Sequence, residues 1–134
     1  MREGKLSKEP LISIVDDDQS VLQSLGSLMR SLGYTVAVFP SAIEFLESPK
    51  LDQTACLISD IHMPVMTGVE LYRRLTEQGR SIPMILITAY PDDNVRARVL
   101  SAGVVGYLGK PFRDDDILQY VESALQRGKS EGNS

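Results

Sequence analysis

Apolar residues follow two alternating patterns along this chain. Five short runs are almost wholly apolar, and between them apolar residues recur at steps of three and four, the spacing of one helix face. After the first run this spacing links Val21, Leu25, Leu28 and Leu32. The pattern predicts five strands, each followed by a helix, with the strands at residues 11–15, 35–39, 55–58, 84–88 and 106–109.

Capping signals mark the ends of the predicted helices. Capping boxes are expected at Ser41-Ala42-Ile43-Glu44 and Thr67-Gly68-Val69-Glu70. The fourth helix opens at Pro91-Asp92-Asp93, and Asp114 or Asp115 would cap the last one. The residues expected to end helices are glycines: Gly33, Gly79 and Gly103.

The strand runs carry few polar residues, which indicates burial on both faces. Together with the alternation of strand and helix, this predicts an α/β fold with a parallel sheet covered by helices on both sides. The fifth run contains two glycines, which weaken a strand. A length of 134 residues suits one domain, expected over residues 10–127, with a flexible N-terminus at 1–9 and a polar tail or linker start at 128–134.

Charge and cysteine content limit the classes of function. The formal net charge is −4 and no basic run occurs, which argues against direct nucleic-acid binding. Cys56 is the only cysteine, so no internal disulfide is possible and a reducing compartment is expected. The first residues lack an apolar signal region, and no stretch is long and apolar enough for a membrane span, so a cytoplasmic protein without membrane contact is expected.

Reactive side chains follow the predicted strands. The first strand is followed by Asp16-Asp17-Asp18, the third by Asp60, and the fifth by Lys110-Pro111, while Thr88 ends the fourth. In open parallel sheets, ligands bind at the carboxyl ends of the strands, so these side chains are candidates for one site. Each has an ordinary alternative explanation: Asp18 a helix cap, Thr88 a β-former, and Lys-Pro a turn.

Taken together, these side chains form a set with a clear chemistry. Two carboxylates about 4 Å apart repel by about 4 kcal/mol at an effective dielectric of 20, so such a cluster binds a proton or a cation. Oxygen ligands without a histidine or cysteine partner favour Mg²⁺, Mn²⁺ or Ca²⁺. A carboxylate nucleophile, a divalent cation, a lysine and a hydroxyl together indicate a phosphoryl-acceptor site.

The chain resembles the receiver domain of two-component response regulators over residues 10–127. The resemblance rests on four motifs in this order: Val15-Asp16-Asp17-Asp18, Asp60-Ile61-His62-Met63-Pro64, Thr88-Ala89 and Lys110-Pro111-Phe112. It implies a flavodoxin-like (βα)5 three-layer sandwich with a five-stranded parallel sheet of order 2-1-3-4-5. More narrowly, Phe39-Pro40-Ser41-Ala42, Phe45-Leu46 and Lys110-Pro111-Phe112 are similar to receivers of the nitrogen-fixation and LuxR-type regulators.

The resemblance implies a phosphoacceptor and a metal site. Asp60 would accept the phosphoryl group. Asp16, Asp17, Asp60 and the backbone carbonyl of His62 would bind Mg²⁺, with Mn²⁺ as a substitute.

The resemblance also implies residues that bind the phosphoryl group and switch. Thr88, Ala89 and Lys110 would contact the phosphoryl group. Tyr107 would turn inward as Thr88 moves, which changes the surface made by the fourth helix, fifth strand and fifth helix. The Lys110–Pro111 peptide bond is expected to be cis.

Three positions depart from the commoner family pattern. His62 stands where asparagine or arginine is frequent, and either alters access to the acyl phosphate or is simply an exposed loop residue. Tyr90 either shields the site or only packs. Gly109 precedes Lys110 where a side chain is usual, which predicts a looser fifth strand and a less certain coupling of Tyr107.

The main hypothesis is a switch rather than an enzyme acting on other molecules. A sensor histidine kinase would phosphorylate Asp60, and the altered surface would control a partner or an output domain, with phosphorylation-linked homodimerisation as a further expectation. One alternative is a magnesium-dependent phosphohydrolase, since Asp16 and Asp18 form an Asp-x-Asp pair. Another is an interaction module that does not need phosphorylation. The chain is compatible with a stand-alone receiver or a piece of a longer regulator.

Overall fold

Five parallel strands form the centre of the molecule. A computed structural model describes the backbone of residues 10–133 and the side chains of residues 10–127, so the prediction for residues 1–9 lies outside it. The strands are β1 (Leu11–Val15), β2 (Thr35–Phe39), β3 (Thr54–Asp60), β4 (Met84–Thr88) and β5 (Gly106–Gly109). Their order is β2-β1-β3-β4-β5, which confirms the expected flavodoxin-like sheet.

Strand β3 is longer than its apolar run. It continues through the polar residues Ser59 and Asp60 because Asp60 stays in register with Ile87 of β4. The backbone N–H of Ile61 then donates to the Ile87 carbonyl at 2.9 Å. Pairing with the neighbouring strand therefore carries Asp60 to the carboxyl edge of the sheet.

Helices follow each strand, and the first four begin at side-chain caps. They are α1 (Gln19–Ser31), α2 (Ala42–Leu46), α3 (Gly68–Glu77), α4 (Asp93–Ala102) and α5 (Asp114–Asn133), with a short 3₁₀ helix at Pro49–Gln53. Thr67 and Glu70 form a complete capping box, and the Ser41 hydroxyl accepts from the Glu44 N–H. Asp92 accepts hydrogen bonds from two backbone N–H groups of the first turn of α4.

The two ends of α5 differ from the prediction. The helix begins at Asp114, so Asp114 and Asp115 lie in its first turn rather than before it, where carboxylates suit the helix dipole. Its backbone continues to Asn133, beyond the expected end near Gly128, since glycine weakens a helix without removing a hydrogen bond. No helix of residues 10–133 combines the length and apolar character needed to cross a membrane.

Two apolar cores cover the two faces of the sheet. Because side chains alternate along a strand, Ile12, Ile14 and Ile58 face one side and pack with α1 and α5. Leu57 and Leu86 face the other side and pack with α2, α3 and α4. The sheet is therefore buried on both faces, as its continuous apolar runs predict.

The glycines of β5 make room for neighbouring side chains. A Cβ atom at Gly106 would lie 2.5 Å from the ring of Tyr120, and one at Gly109 would lie 2.8 Å from Pro91. Gly109 thus permits Pro91 to pack closely instead of leaving space beside the strand. Glycine is expected to weaken a strand, but at these two positions the packing of Tyr120 and Pro91 leaves no room for a side chain.

Candidate functional site

Acidic side chains from two adjacent strands meet at the carboxyl edge of the sheet. Asp16 and Asp17 follow β1, and Asp60 ends β3. The residues just before them, Val15 and Ser59, are in register across the two strands. One carboxylate oxygen from each of the three lies within 4.8 Å of the others. The structure therefore brings together the three carboxylates that the sequence predicts for one site.

Lys110 joins this cluster from the far end of β5. Its ammonium lies 3.0 Å from Oδ2 of Asp16 and 3.2 Å from Oδ1 of Asp60. Its backbone N–H donates to the Thr88 carbonyl at 2.7 Å, and its peptide bond to Pro111 is cis. One cation thus faces two carboxylates, in a group we call the acid pocket (Asp16, Asp17, Asp60 and Lys110).

Burial sets the electrostatics of the acid pocket. Asp16 is fully buried and Asp60 is 5% exposed, whereas Asp17 is exposed. Burial raises the pKa of Asp60, and the charge of Asp16 raises it further, although Lys110 acts in the opposite direction. Burial alone would lower the pKa of Lys110, but its hydrogen bond to Asp16 and the charge of Asp16 raise it. The lysine therefore stays charged, and the pocket retains an excess of negative charge.

The donor set of the acid pocket fits a hard divalent cation. All three side-chain candidates are carboxylates, two of them are shielded from water, and one ammonium does not balance their charge. Such oxygen ligands suit Mg²⁺ or Mn²⁺. A bound cation would relieve the repulsion that raises the pKa of Asp60.

The three consecutive aspartates of the first motif have three different environments. Asp16 is buried, and its Oδ1 accepts from the N–H of Asp18 at 2.9 Å. Asp17 offers its carboxylate to the cluster. Asp18 caps α1, and its hydrogen bonds to the hydroxyl and N–H of Ser20 lower its pKa. The helix-cap interpretation is therefore correct for Asp18.

Thr88 and Ala89 lie at the end of β4, next to the acid pocket in the sheet order. Thr88 is fully buried, and its Oγ1 accepts from the N–H of Tyr90 at 3.0 Å. Ala89 is exposed. Because Thr88 Oγ1 accepts from Tyr90, its own O–H remains able to donate to another group.

Tyr107 already lies inside the molecule in this structure. It is 6% exposed, and its hydroxyl accepts from the N–H of Asp92 at 2.9 Å. Asp92 is the N-cap of α4, so this contact connects β5 with the start of that helix. The inward rotation of Tyr107 that would accompany a movement of Thr88 stays a prediction.

His62 and Tyr90 form a contact between the loops that follow β3 and β4. Both residues are exposed, and their rings meet edge to face with centroids 5.3 Å apart. His62 follows Asp60 by two residues, whereas the carboxylates that cluster around one point come from Asp16, Asp17 and Asp60. The imidazole therefore packs against an aromatic ring at the exposed surface of the two loops.

Two residues at the acid pocket were missed by the reading of the sequence. Gly68 was noticed only as part of a capping box, yet a Cβ atom there would lie 2.4 Å from the backbone oxygen of Asp60. Ser59 carries no functional signal in the sequence, yet its hydroxyl donates to that same oxygen at 2.9 Å. No periodicity or motif distinguishes such residues, because their role depends on contacts with a neighbouring backbone.

Comparison with known proteins agrees with the geometry. Residues 12–122 match the family model described as the response regulator receiver domain. The chain is 39% identical over 125 residues to the response regulator protein TmoT of Ectopseudomonas mendocina, covering 93% of this chain and 57% of that protein. It is 32% identical over 123 residues to the transcriptional regulatory protein FixJ of Bradyrhizobium diazoefficiens, covering 92% and 60%. The chain thus spans little more than half the length of these relatives.

Solved structures show the same fold. The response regulator StyR superposes with a TM-score of 0.86 at 38% identity, covering 93% of this chain and 63% of that chain. The structure titled FixJ-N superposes with a TM-score of 0.78 at 33% identity, covering 94% and 96%. FixJ occurs both among the similar sequences and among the similar structures, in line with the narrower resemblance to nitrogen-fixation and LuxR-type regulators.

Proposed function

The chain belongs to the response regulator receiver domains, which are signalling domains, and from this premise we propose that a sensor histidine kinase phosphorylates it on Asp60. The observation that carries the proposal is the placement of the Lys110 ammonium against the carboxylates of Asp16 and Asp60, with Asp17 beside them. This arrangement places one ammonium against both the proposed nucleophile and the carboxylate of Asp16, within the cluster that would bind the metal.

The proposed step is a transfer between the kinase histidine and Asp60. A carboxylate oxygen of Asp60 attacks phosphorus, the P–N bond breaks, and the electron pair stays on the imidazole nitrogen, which then takes a proton from solvent. Asp16, Asp17, Asp60 and the backbone carbonyl of His62 would hold Mg²⁺, or Mn²⁺ in its place. When bound, the cation neutralises charge on the phosphoryl oxygens.

Protein groups around Asp60 would receive the phosphoryl oxygens. Lys110 supplies a point charge, 3.2 Å from Asp60 before transfer. The Thr88 hydroxyl can donate a hydrogen bond, and Ala89 follows it at the end of β4. The Lys110 contact would strengthen and a hydrogen bond from Thr88 would form once Asp60 carries a phosphoryl group, so both would favour the phosphorylated state.

The output of the switch is proposed to be the α4-β5-α5 surface. If Thr88 moves toward the phosphoryl group, its hydrogen bond with the N–H of Tyr90 changes. Tyr90 begins the short segment that leads to Asp92, and the N–H of Asp92 is bonded to the Tyr107 hydroxyl. Phosphorylation would thus shift the population of two arrangements of α4. We propose that this surface controls a protein partner or output domain, with phosphorylation-linked homodimerisation as one form of that control.

The test measures phosphoryl transfer directly. Wild-type protein is incubated with phosphoramidate and Mg²⁺, and its intact mass is recorded alongside Asp60→Asn and Asp115→Asn, a control at an exposed carboxylate. We expect one added phosphoryl group on the wild type and the control, none on Asp60→Asn, and loss of labelling when a chelator removes the metal. Equal labelling of Asp60→Asn would contradict the assignment of the phosphoacceptor.

The phosphohydrolase alternative has less support. It needs Asp16 and Asp18 to act together, but the Asp18 carboxylate is occupied with the first turn of α1. Steady hydrolysis of several external phosphate esters would favour an enzyme, while one self-limited turnover on Asp60 favours the switch. Normal partner binding by Asp60→Ala protein would favour an interaction module.

A further inference from the structure

Ser59 lies directly before the proposed phosphoacceptor and carries a buried hydroxyl. The residue is fully buried near the end of β3. Its hydroxyl donates to the backbone carbonyl of Asp60 at 2.9 Å. The proposed phosphoryl transfer gives this hydroxyl no direct part, so its contact with the Asp60 peptide needs a separate explanation.

The carbonyl of Asp60 lies where the regular pairing of the sheet stops. Strand β1 ends at Val15, which is in register with Ser59, so no further β1 residue pairs with Asp60. In a continuous parallel ladder, the neighbouring strand would supply the donor for this oxygen. The Ser59 hydroxyl stands in for it.

Gly68 covers the same carbonyl from the start of α3. A Cβ atom there would lie 2.4 Å from the Asp60 oxygen and 3.2 Å from its carbonyl carbon. The N–H of Gly68 donates to the next carbonyl, that of Ile61, at 2.9 Å. The peptide bond after Asp60 is therefore enclosed by protein. A buried carbonyl without a hydrogen-bond donor costs free energy, so the Ser59 hydroxyl meets a need here.

We propose that Ser59 is a positioning residue for phosphoryl transfer, an inference that rests on the proposed function of Asp60. Its hydroxyl fixes the orientation of the Asp60 carbonyl, which is attached to the same Cα as the reacting side chain. The Asp60 carboxylate is thereby held at its 3.2 Å contact with Lys110. Small displacements of a reacting group lower transfer rates strongly, so a backbone restraint at this point affects chemistry as well as stability.

The experiment compares two buried serines on adjacent strands. Ser59→Ala removes the hydroxyl that contacts Asp60. Ser13→Ala is the matched control, because Ser13 is also fully buried but its hydroxyl bonds to Thr54 at 2.7 Å. Ser59→Thr keeps a hydroxyl, and Ser59→Cys keeps the size with only a weak donor. For each variant, the phosphorylation rate is measured against phosphoramidate concentration at saturating Mg²⁺, together with the urea unfolding midpoint.

We expect Ser59→Ala to lower the maximal phosphorylation rate by about fivefold to tenfold, the size expected for one hydrogen bond. The phosphoramidate concentration at half-maximal rate should stay the same, since Ser59 does not contact the donor. Ser13→Ala should lower the unfolding midpoint but keep the wild-type rate. Ser59→Thr should restore most of the rate, and Ser59→Cys should lie between Ala and wild type.

The outcomes separate this inference from the proposed function. A wild-type rate in Ser59→Ala, or an equal loss of rate in Ser13→Ala, would overturn the positioning role while leaving Asp60 as the phosphoacceptor. If Ser59→Ala does not fold, Ser59→Cys decides, and a wild-type rate in that variant overturns the inference. A wild-type protein that takes no label on Asp60 would overturn both.

Discussion

The acid pocket and helix α4 are held in place by very different means. The carboxylates of Asp16 and Asp60 are buried and bound to Lys110 at 3.0 and 3.2 Å. Of the ten residues of α4, only Val99 is buried, whereas α3 has the same length and buries three. The groups proposed to do chemistry are therefore held by buried ion pairs, while the helix proposed to respond buries a single side chain.

Tyrosine hydroxyls hold the two ends of α4. Tyr107 accepts from the N–H of the N-cap Asp92 at 2.9 Å, and Tyr72 donates to the carbonyl of Ala102 at 3.1 Å. Between these ends, a groove of 320 Å³ separates α4 from α3, with Leu86 and Val99 among its lining residues. A helix attached in this way is expected to open locally at a lower free energy than the central strands.

The largest expected effect comes from a substitution at Gly68, which packs against the backbone of Asp60 in the acid pocket. In Gly68→Ala, the new Cβ meets the Asp60 carbonyl at 2.4 Å and Leu86 at 3.0 Å, and neither the backbone nor the packed side chain can yield easily. We expect the free energy of unfolding to fall by about 1–3 kcal/mol, as for other overpacked sites. Urea denaturation measures this loss, and the phosphorylation assay should show a slower rate.

Gly26→Ala is the matched control for Gly68→Ala. Gly26 lies inside α1, and the nearest atom to its new Cβ is the mobile end of Arg30 at 3.3 Å. Alanine should therefore stabilise the protein by about 0.5–1 kcal/mol through helix propensity. Equal effects of the two substitutions would mean that Gly68 is not a close backbone contact.

A smaller effect is expected from removing the charge of Asp60 in metal-free protein. The folded state raises the pKa of Asp60 above its ordinary value of 3.8, so it binds this proton more readily than the unfolded chain does. The free energy of unfolding should therefore fall as pH rises through the raised pKa. Asp60→Asn lacks this loss and should be more stable than the wild type at neutral pH, because burial and the charge of Asp16 outweigh the opposing effect of Lys110.

The measurement is a series of urea denaturations across pH in the presence of a chelator. Asp115→Asn, at an exposed position, should follow the wild-type pH profile. Added Mg²⁺ should stabilise the wild type more than Asp60→Asn, because a ligand stabilises the state that binds it. A wild type as stable as Asp60→Asn at neutral pH without metal would show that Lys110 fully balances the pocket.

The smallest effect on overall stability is expected from substitutions at the two ends of α4. Tyr72→Phe and Tyr107→Phe each remove one hydroxyl that holds an end of α4, and each should cost about 0.5 kcal/mol, the low end for one hydrogen bond. Amide hydrogen exchange should become faster in α4, by about tenfold or less, with little change in β1 and β3. Tyr34→Phe is the control, because Tyr34 packs against the core on the other face of the sheet from α4. Uniform acceleration across the sheet would contradict a local attachment.

The elements of the fold could be predicted well from the sequence. Four strands have the predicted bounds, because continuous apolar runs between turn residues are a local signal. β3 was predicted too short, since its last two residues are polar and are held by pairing with β4. The start of α5 also differs from the prediction: all three consecutive aspartates lie in its first turn, because a run of aspartates fits a cap and a first turn equally well.

Candidate site residues could be predicted where they carry charge and follow a strand, as Asp16, Asp17, Asp60 and Lys110 do. Ser59 and Gly68 could not, because their contacts with the Asp60 carbonyl join segments whose side chains carry no reactive group. The separate environments of Asp16, Asp17 and Asp18 likewise depended on the turn that follows β1.

By itself, the sequence determined which segments become strands and helices and which reactive residues stand at the strand ends, because both depend on local spacing and burial of apolar surface. How those ends are restrained depends on the tertiary structure: Lys110 bridges two buried carboxylates, and Ser59 and Gly68 enclose one carbonyl. Likewise, α4 buries a single residue and has a tyrosine hydroxyl contact at each end. These features arise from distances between segments far apart in the chain, which no local pattern encodes.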